Sequence, residues 1–409
     1  MATRRGRAKE ARGSGSARPR SSFDAGPPGR ITIVGPAYPL RGGNALFVAH
    51  LYEALRADHD VSVVSFTKLY PRLLFPGRTQ LNLSRDPVKA TPSRQIIDSA
   101  NPLTWLRAAR WILAPARRPD LVVFVWWNPF FGPCYGTIAR ALKRGRGPGI
   151  AFVCENVVSH ENRPIDKHLT RYACSAADYI MVLSGVVARR VGALFPTTPV
   201  RQAALPIYDC YRRADHDREA TRARLGLRRP TALFFGYVRE YKGLSYLLRA
   251  LPRVLESLEI DLLVVGEFYD DRAPYDRLID ELGIGDHVRI VAEHVPDESV
   301  GDYFAASDVA VLPYVSATQS GITQIAYAMG LPVISTDVGG LPEVVRDGET
   351  GYIVRPRDAE GLADAVVRYF TDGKGPEFAA NVNLEVKRDR AGELLRQAVR
   401  DFLEMERAR

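Results

Sequence analysis

Two positively charged side chains lie three positions apart in a loop bounded by glycines. The loop, residues 236–243 (GYVREYKG), follows the apolar run 231–235 and precedes a predicted helix that begins near Leu244. Arg239 and Lys242 would therefore stand at the end of a strand and beside a helix N-terminus, a combination suited to a diphosphate. A solvated loop would have the same composition, so both interpretations stay open at this point.

A longer stretch, residues 308–355, is a second candidate for phosphate binding. It reads DVAVLPYVSATQSGITQIAYAMGLPVISTDVGGLPEVVRDGETGYIVR. A strand that breaks at Pro313 leads through small polar residues into a helix, and the next strand leads to the turn Gly339-Gly340. Two strand–loop–helix units in succession direct two helix N-termini to one edge of a parallel sheet, where backbone N–H groups can bind the phosphates of a nucleotide. The alternative is that any doubly wound domain contains such loops.

The first half of the chain contains a third glycine turn. Residues 31–34 (ITIV) and 61–65 (VSVVS) are predicted strands, and between them lie Gly42-Gly43 and a helix from about Asn44. This βαβ unit has about the expected length, although its loop is not GxGxxG. Gly42 and Gly43 would let the backbone approach a ligand closely, or would simply form a tight turn before the helix.

A polar loop after the predicted strand 149–154 contains His160 and Glu161. Open α/β sheets bind their ligands at the carboxyl ends of strands, which is where this loop lies. The two residues are a plausible proton-handling or sugar-contacting pair. A solvated loop histidine is the alternative.

Apolar strands and helices alternate along the chain and must position these loops. Strands are predicted at 31–34, 61–65, 120–127, 149–154, 178–184 and 200–205, and again at 231–235, 260–265, 288–291, 309–312, 333–335 and 352–354. The alternation predicts an α/β fold with two Rossmann-like domains, each a parallel sheet wrapped by helices, with a cleft between them. We divide the chain into a disordered basic tail at 1–29, a first domain at 30–205, a linker at 206–230, a second domain at 231–380 and a C-terminal helix at 381–409 that returns to the first domain.

Composition excludes several classes of protein. A length of 409 residues exceeds one usual hydrophobic core, and no apolar run is long enough for a membrane-spanning helix. The net charge is +9, of which the tail contributes seven basic and two acidic residues, and no base-reading motif accompanies it, so we expect no nucleic-acid partner. The N-terminus lacks the apolar segment of a secretory signal. Four scattered cysteines without a CxxC pair predict reduced thiols in the cytoplasm and no structural zinc.

Residues 66–118 carry ten basic and two acidic side chains with aromatic residues between them. This pattern suits an anionic membrane surface or a phosphorylated lipid. The alternative is that Trp105 and Trp111 belong to the core.

Five segments of the second half occur in an order that resembles a known family. They are LFFGYVREYKGLSYLLRAL, LLVVGE, VRIVAEHVPDESV, DVAVLPY and GLPVISTDVGGLPEVVRDGETGYIV. The order resembles the nucleotide-sugar domain of group 1 (family 4) glycosyltransferases, which have the GT-B arrangement, and the resemblance extends over residues 30–409. It implies transfer of a sugar from a UDP- or GDP-linked donor with retention of configuration, without a cofactor or an obligatory metal ion. It also implies that the first domain holds the acceptor and the second holds the donor.

The resemblance assigns roles to individual residues. Gly42 and Gly43 match the glycine turn that faces the donor phosphates, and Lys242 matches the lysine of the family's Arg…Lys-Gly motif. Tyr237 follows the glycine of that motif, so we expect Arg239 to contact the diphosphate instead. His160, with Glu161 beside it, lies where relatives keep a sugar-contacting residue. The remaining donor-binding residues are Gly236, Gly266, Glu267 and His294, and the last three correspond to segments that line the base pocket.

The donor loop departs from the common family pattern. Two glutamates eight positions apart are usual, and their places hold Ala317 and Ile325. The local sequence ATQSG resembles a subgroup in which Gln319, Ser320 and Gly321 form the donor loop. In that case the N–H groups of Ser320 and Gly321 would hold a phosphate and Gln319 would contact the sugar.

Three functions are therefore compatible with the sequence. The first is a retaining glycosyltransferase of cell-envelope, glycolipid or exopolysaccharide assembly, acting on a glycan or lipid-linked acceptor at the inner face of the membrane. The second is a non-catalytic nucleotide-sugar binder, which the missing glutamates suggest. The third is an epimerase or phosphorylase built on the same GT-B architecture.

Overall fold

The computed structural model describes residues 28–71, 75, 77, 79–157, 164–213 and 216–408. The predicted tail at 1–29 lies almost entirely outside these residues, as do His160 and Glu161. In the described part of the chain, no helix has both the length and the apolar character that crossing a membrane requires.

The first half folds around a parallel seven-stranded sheet with the order β3-β2-β1-β4-β5-β6-β7. Its strands are β1 Arg30–Val34, β2 Asp60–Lys68, β3 Arg94–Asp98, β4 Leu121–Trp126, β5 Gly149–Cys154, β6 Tyr179–Val182 and β7 Val200–Gln202. Its helices are α1 Gly43–Leu55, α2 Pro102–Ile112, α3 Gly132–Leu142, α4 Asp166–Cys174 and α5 Gly185–Leu194. The central strands β4 and β5 are buried along their whole length, because helices cover both faces of the sheet.

The second half forms a parallel six-stranded sheet with the order β10-β9-β8-β11-β12-β13. Its strands are β8 Thr231–Phe235, β9 Asp261–Val265, β10 Val288–Val291, β11 Val309–Leu312, β12 Val333–Thr336 and β13 Gly351–Val354. The helices that accompany or follow it are α6 Arg218–Leu225, α7 Leu244–Leu255, α8 Ala273–Leu282, α9 Asp297–Ala305, α10 Gly321–Ala328, α11 Ala359–Thr371, α12 Gly375–Lys387 and α13 Ala391–Arg407. The predicted α/β class with two parallel sheets is confirmed.

Helix α13 lies on the first sheet although it follows the second in sequence. Phe402 stacks on Tyr179 of β6 with ring centres 4.8 Å apart, and Arg201 of β7 pairs with Asp401 at 2.8 Å. The preceding helix, α12, contains the predicted boundary at residue 380, and its Phe378 packs in the core of the second sheet. The chain therefore passes back to the first half between α12 and α13.

The tryptophans of the basic segment 66–118 differ in their surroundings. Trp105 is buried, and its indole N–H donates to the carbonyl oxygen of Asp98. Trp111 is half-buried and packs against the same core, with the guanidinium of Arg117 lying 4.5 Å from its ring centre. On the outer face of α2, the side chain of Leu103 is 76% exposed. The core alternative is therefore correct for Trp105 and, at the edge of the core, for Trp111, while α2 presents the apolar side chain of Leu103 to solvent.

Candidate functional site

A cleft of about 800 Å³ separates the carboxyl ends of the two sheets. Its walls are formed by loops that follow β1, β4 and β5 of the first sheet and β8, β9, β10 and β11 of the second. All the predicted site residues in the described part of the chain line this cleft, namely Gly42, Gly43, Gly236, Arg239, Lys242, Gly266, Glu267, His294, Gln319, Ser320 and Gly321. Parallel strands bring these distant residues together because they all end at the same edge of a sheet.

The glycine turn after β1 directs the N-terminus of α1 into the cleft. Gly42 has a φ of 110°, a conformation that side chains other than glycine rarely adopt, and no side chain caps the helix. A Cβ at Gly43 would meet no atom within 4 Å, so the space beside the first turn of α1 is open, and both glycines line the cleft. This helix end can therefore receive an anion.

Residues 236–243, which we call the cation loop, pack against the end of β11. Gly243 has a φ of 72°, and a Cβ there would lie 1.9 Å from the carbonyl oxygen of Pro313. The N–H of Val315 donates to the carbonyl oxygen of Tyr241 at 2.8 Å. The close approach of two backbones explains why glycine must precede α7.

Lys242 is held by an aromatic side chain. Its ammonium donates to the hydroxyl of Tyr314 at 2.7 Å and lies 4.1 Å from the centre of the same ring. Burial lowers the pKa of Lys242, and the charge of Arg239 lowers it further. The two cations therefore act on the same part of the cleft, where an anion would relieve their repulsion.

Residues 316–321, which we call the donor loop, precede α10. The hydroxyl of Ser320 accepts from the N–H of Ile322 at 3.2 Å and so caps that helix. The Oε1 atom of Gln319 is buried and has no hydrogen-bond partner among the described residues. Since buried acceptors in folded proteins are nearly always satisfied, this oxygen suits a hydroxyl of a bound ligand.

The places of the usual glutamates are apolar. Ala317 and Ile325 are only 9% and 6% exposed and pack in the core of the second half. No carboxylate from these two positions reaches the cleft.

A buried ion pair that the sequence did not predict joins the two halves across the cleft. Arg41, in the glycine turn, donates to Glu267 Oε2 at 2.6 Å, and the two side chains are 3% and 9% exposed. Tyr237 and Tyr269 stack beside the pair with ring centres 4.5 Å apart. The carboxylate of Glu267, predicted to bind the donor, is thus engaged by Arg41 in this arrangement.

His294 lies near this pair. Burial lowers its pKa, the charge of Arg41 lowers it further, and its Nε2 atom has no partner among the described residues. A neutral imidazole nitrogen in this place can accept or donate one hydrogen bond to a ligand.

Glu155, which the sequence analysis missed, follows β5 directly and enters the cleft five positions before His160. Its Oε1 atom is buried without a partner in the described structure. With the Asn44 amide oriented to satisfy its neighbours, the amide nitrogen donates to Glu155 Oε2 at 3.0 Å and the amide oxygen accepts from Trp127 at 3.0 Å. Burial raises the pKa of Glu155 to about 8, so the carboxyl is largely protonated at neutral pH. Its place directly after a predicted strand could have identified Glu155 as a candidate site residue from the sequence.

The first-domain wall of the cleft is rich in half-buried apolar side chains. The rings of Tyr70 and Phe130 lie 5.4 Å apart, and the Trp127 indole N–H donates to the Tyr70 hydroxyl at 3.2 Å. Leu169 and the 58% exposed Ile165 extend this wall.

Among the described residues, no group of three or more His, Cys, Asp or Glu side chains is arranged to hold a metal ion. The four cysteines are free thiols.

Comparison with known sequences identifies relatives of part of the chain. Residues 229–372 match the family described as "Glycosyl transferases group 1". The chain is 32% identical over 205 residues to D-inositol 3-phosphate glycosyltransferase 1 of Catenulispora acidiphila, covering 47% of this chain and 49% of that protein. It is 36% identical over 141 residues to the phosphatidyl-myo-inositol mannosyltransferase of Mycobacterium leprae, covering 34% of this chain and 36% of that protein. These matches span about half, or less, of the curated relatives.

Comparison with solved structures covers nearly the whole chain. Sucrose-phosphate synthase from Thermosynechococcus elongatus has a TM-score of 0.70 at 21% identity, over 93% of this chain and 99% of that one. HepE of Anabaena in complex with UDP has a TM-score of 0.68 at 16% identity, over 92% of this chain and 100% of that one. Identities this low concern the fold alone, and they confirm the GT-B arrangement of two Rossmann-like domains.

Proposed function

We propose that the protein is a glycosyltransferase that moves a sugar from a nucleoside-diphosphate sugar to a hydroxyl of its acceptor, with retention of configuration. The observation that carries this proposal is the convergence of Arg239, Lys242 and the N-termini of α1 and α10 in one cleft of a GT-B fold. The sequence match of residues 229–372 to group 1 glycosyltransferases supports it.

The diphosphate is the part of the donor that these cations suit best. Arg239 and Lys242 would neutralise the charge that develops on the leaving nucleoside diphosphate as the glycosidic bond breaks. The N–H groups of Ser320 and Gly321 at the start of α10 would bind the same phosphates. The complex of HepE with UDP supports a uridine nucleotide, and a guanosine nucleotide is the alternative.

The sugar would lie between Gln319 and Glu155. The unpartnered Oε1 of Gln319 offers an acceptor on one side, and the protonated carboxyl of Glu155 offers a donor on the other. These two groups would make the hydrogen bonds to the donor that carboxylates make in relatives and that Ala317 and Ile325 cannot make. His160 and Glu161 remain proposed sugar contacts in the same loop as Glu155.

The acceptor would bind along the first-domain wall. Tyr70, Trp127 and Phe130 offer ring faces, and Ile165 and Leu169 offer aliphatic surface, which together suit an acceptor with an apolar portion. A lipid-linked acceptor meets this requirement better than a free glycan. The exposed Leu103 beside Arg107 and Arg110 on α2 supports contact with the inner face of an anionic membrane during envelope or exopolysaccharide assembly.

The test is to titrate UDP and GDP into wild-type protein and into Arg239→Ala and Lys242→Ala variants by calorimetry. Loss of one charge-assisted contact should weaken binding by about 1.5–3 kcal/mol, or roughly ten- to a hundredfold. Arg249→Ala, at an exposed position of α7, is the matched control and should bind like wild type. Unchanged affinity in both cleft variants would refute the phosphate site.

A second candidate, a nucleotide-sugar binder without catalysis, is favoured by one observation. The two positions where carboxylates are usual hold buried apolar side chains. Incubation of the wild-type protein with UDP-sugars and lipid-linked acceptors distinguishes the two functions. Release of UDP with formation of a glycosylated acceptor supports the transferase, whereas tight binding without turnover supports the binder.

A further inference from the structure

We propose that Tyr314 is a positioning residue that aims the Lys242 ammonium at the donor diphosphate without neutralising it. Tyr314 also ties the cation loop to the donor loop, so the two anion-binding loops move as one unit. This inference rests on the proposed function and assigns a role to a residue outside the ligand-contacting set.

The first step concerns the charge of Lys242. Within the described ranges Lys242 forms no ion pair, and its ammonium is held by the hydroxyl and the ring face of Tyr314. A carboxylate in the place of Tyr314 would fix the ammonium equally well but would cancel its charge. A neutral phenol fixes one of the three N–H donors and leaves the other two, with the full positive charge, for a phosphate.

The second step concerns the rigidity of Tyr314 itself. Its side chain is fully enclosed, and its carbonyl oxygen accepts from Thr336 Oγ1 at 2.6 Å. On either side of it, Pro313 packs against Gly243 and Val315 donates to Tyr241. Because the backbone is held at three consecutive residues, the hydroxyl has a fixed position from which to orient Lys242.

The third step links the donor loop to the same hydroxyl. Tyr314 Oη lies 3.4 Å from Ser320 Oγ, and that oxygen caps α10 by accepting from Ile322. The phenol therefore stands between the lysine and the first turn of the helix proposed to bind phosphate. A displacement of one loop would be transmitted to the other through a single oxygen atom.

The experiment compares Tyr314→Phe with Tyr327→Phe. Tyr327 is the matched control because it is equally buried in the same half, donates to Thr350 Oγ1 at 2.7 Å, and does not line the cleft. Calorimetric titration with UDP, and with GDP if UDP does not bind, should give a dissociation constant about five- to tenfold higher for Tyr314→Phe, and an unchanged one for Tyr327→Phe.

Two further measurements distinguish positioning from a general loss of stability. The phenol oxygen stabilises the charged ammonium, so its removal should lower the pKa of Lys242 and shift the alkaline loss of UDP binding to lower pH. In a double-mutant cycle, Tyr314→Phe should weaken binding much less in the Lys242→Ala background than in the wild type, since Tyr314 acts mainly through the lysine and only its contact with Ser320 remains.

If Tyr314→Phe binds UDP with the same affinity as the wild-type protein and loses binding at the same alkaline pH, this inference is overturned and the proposed function still stands. Additive losses in the double-mutant cycle also overturn it. A wild-type protein that binds neither UDP nor GDP overturns the proposed function and this inference with it.

Discussion

Replacing Glu155 with glutamine should remove a large part of the pH dependence of the unfolding free energy between pH 6 and pH 8. The pKa of Glu155 is about 8 in the folded protein, against an ordinary value of 4.5. Between these two values the unfolded chain is ionised at this position while the folded protein holds a proton. Folding therefore takes up a proton, and the free energy of unfolding falls as pH rises by up to about 1.4 kcal/mol per pH unit.

The direction of the change in unfolding free energy, and the pH range in which it occurs, follow from the raised pKa of Glu155. The stabilising contribution is complete below the unfolded pKa and is lost as pH rises to the folded pKa, so the loss between pH 6 and pH 8 amounts to roughly 2 kcal/mol. Glutamine keeps the shape and hydrogen-bonding capacity of the protonated carboxyl but cannot ionise. Relative to wild type, the variant should gain that amount of stability over this range.

The assay is urea denaturation of wild type and Glu155→Gln at pH 6, 7 and 8. The two curves of unfolding free energy against pH should diverge by roughly 2 kcal/mol as pH rises to 8. Glu256→Gln, at the exposed end of α7, is the matched control and should remain parallel to wild type. Parallel curves for Glu155→Gln as well would refute the account of a carboxyl kept protonated by burial.

Two further predictions concern the Arg41–Glu267 ion pair and the proposed membrane contact of α2. Arg41→Ala leaves Glu267 buried without its cation and should destabilise the protein by about 3–5 kcal/mol in urea denaturation. The additional change Glu267→Ala should recover part of that loss, and an additive loss would contradict a direct pair. Leu103→Glu should reduce sedimentation with phosphatidylglycerol vesicles about tenfold, because an exposed apolar side chain no longer inserts. Leu394→Glu, at a 43% exposed position of α13, is its control, and equal sedimentation of both variants would argue against α2 as the contact.

The alternation of apolar strands with helices was sufficient to predict the two sheets. Strands such as β4 (LVVFVW) are buried on both faces, and a continuous apolar run between turn residues is easily recognised. The edge strand β3 was missed because only two of its five residues, Ile96 and Ile97, are apolar. Edge strands pair on one side only, so local composition constrains them less.

The loops of the site were predictable for a different reason. The carboxyl ends of parallel strands meet at one edge, so glycine turns and cations after strands identify the cleft without knowledge of side-chain contacts. Arg41, Glu155 and Tyr314 were missed because their roles depend on partners elsewhere in the chain. The partner of Arg41 is 226 positions away, and that of Tyr314 is 72 positions away. Local sequence gives Arg41 and Tyr314 no distinguishing pattern, whereas Glu155 could have been identified by its place directly after β5.

The cations of the cleft fall into two kinds, and the difference bears on mechanism. Arg41 is neutralised by a carboxylate and joins the two halves, whereas Lys242 is fixed by a neutral phenol and keeps its charge. Glu155, which faces the same cavity, is largely protonated at neutral pH and adds little negative charge. Ala317 and Ile325, at the places of the usual glutamates, add no negative charge beside Arg239 and Lys242. In the proposed transfer reaction, two cations without a neighbouring carboxylate would stabilise a departing diphosphate more than a positively charged sugar, so we expect leaving-group stabilisation to supply the larger share of the rate enhancement.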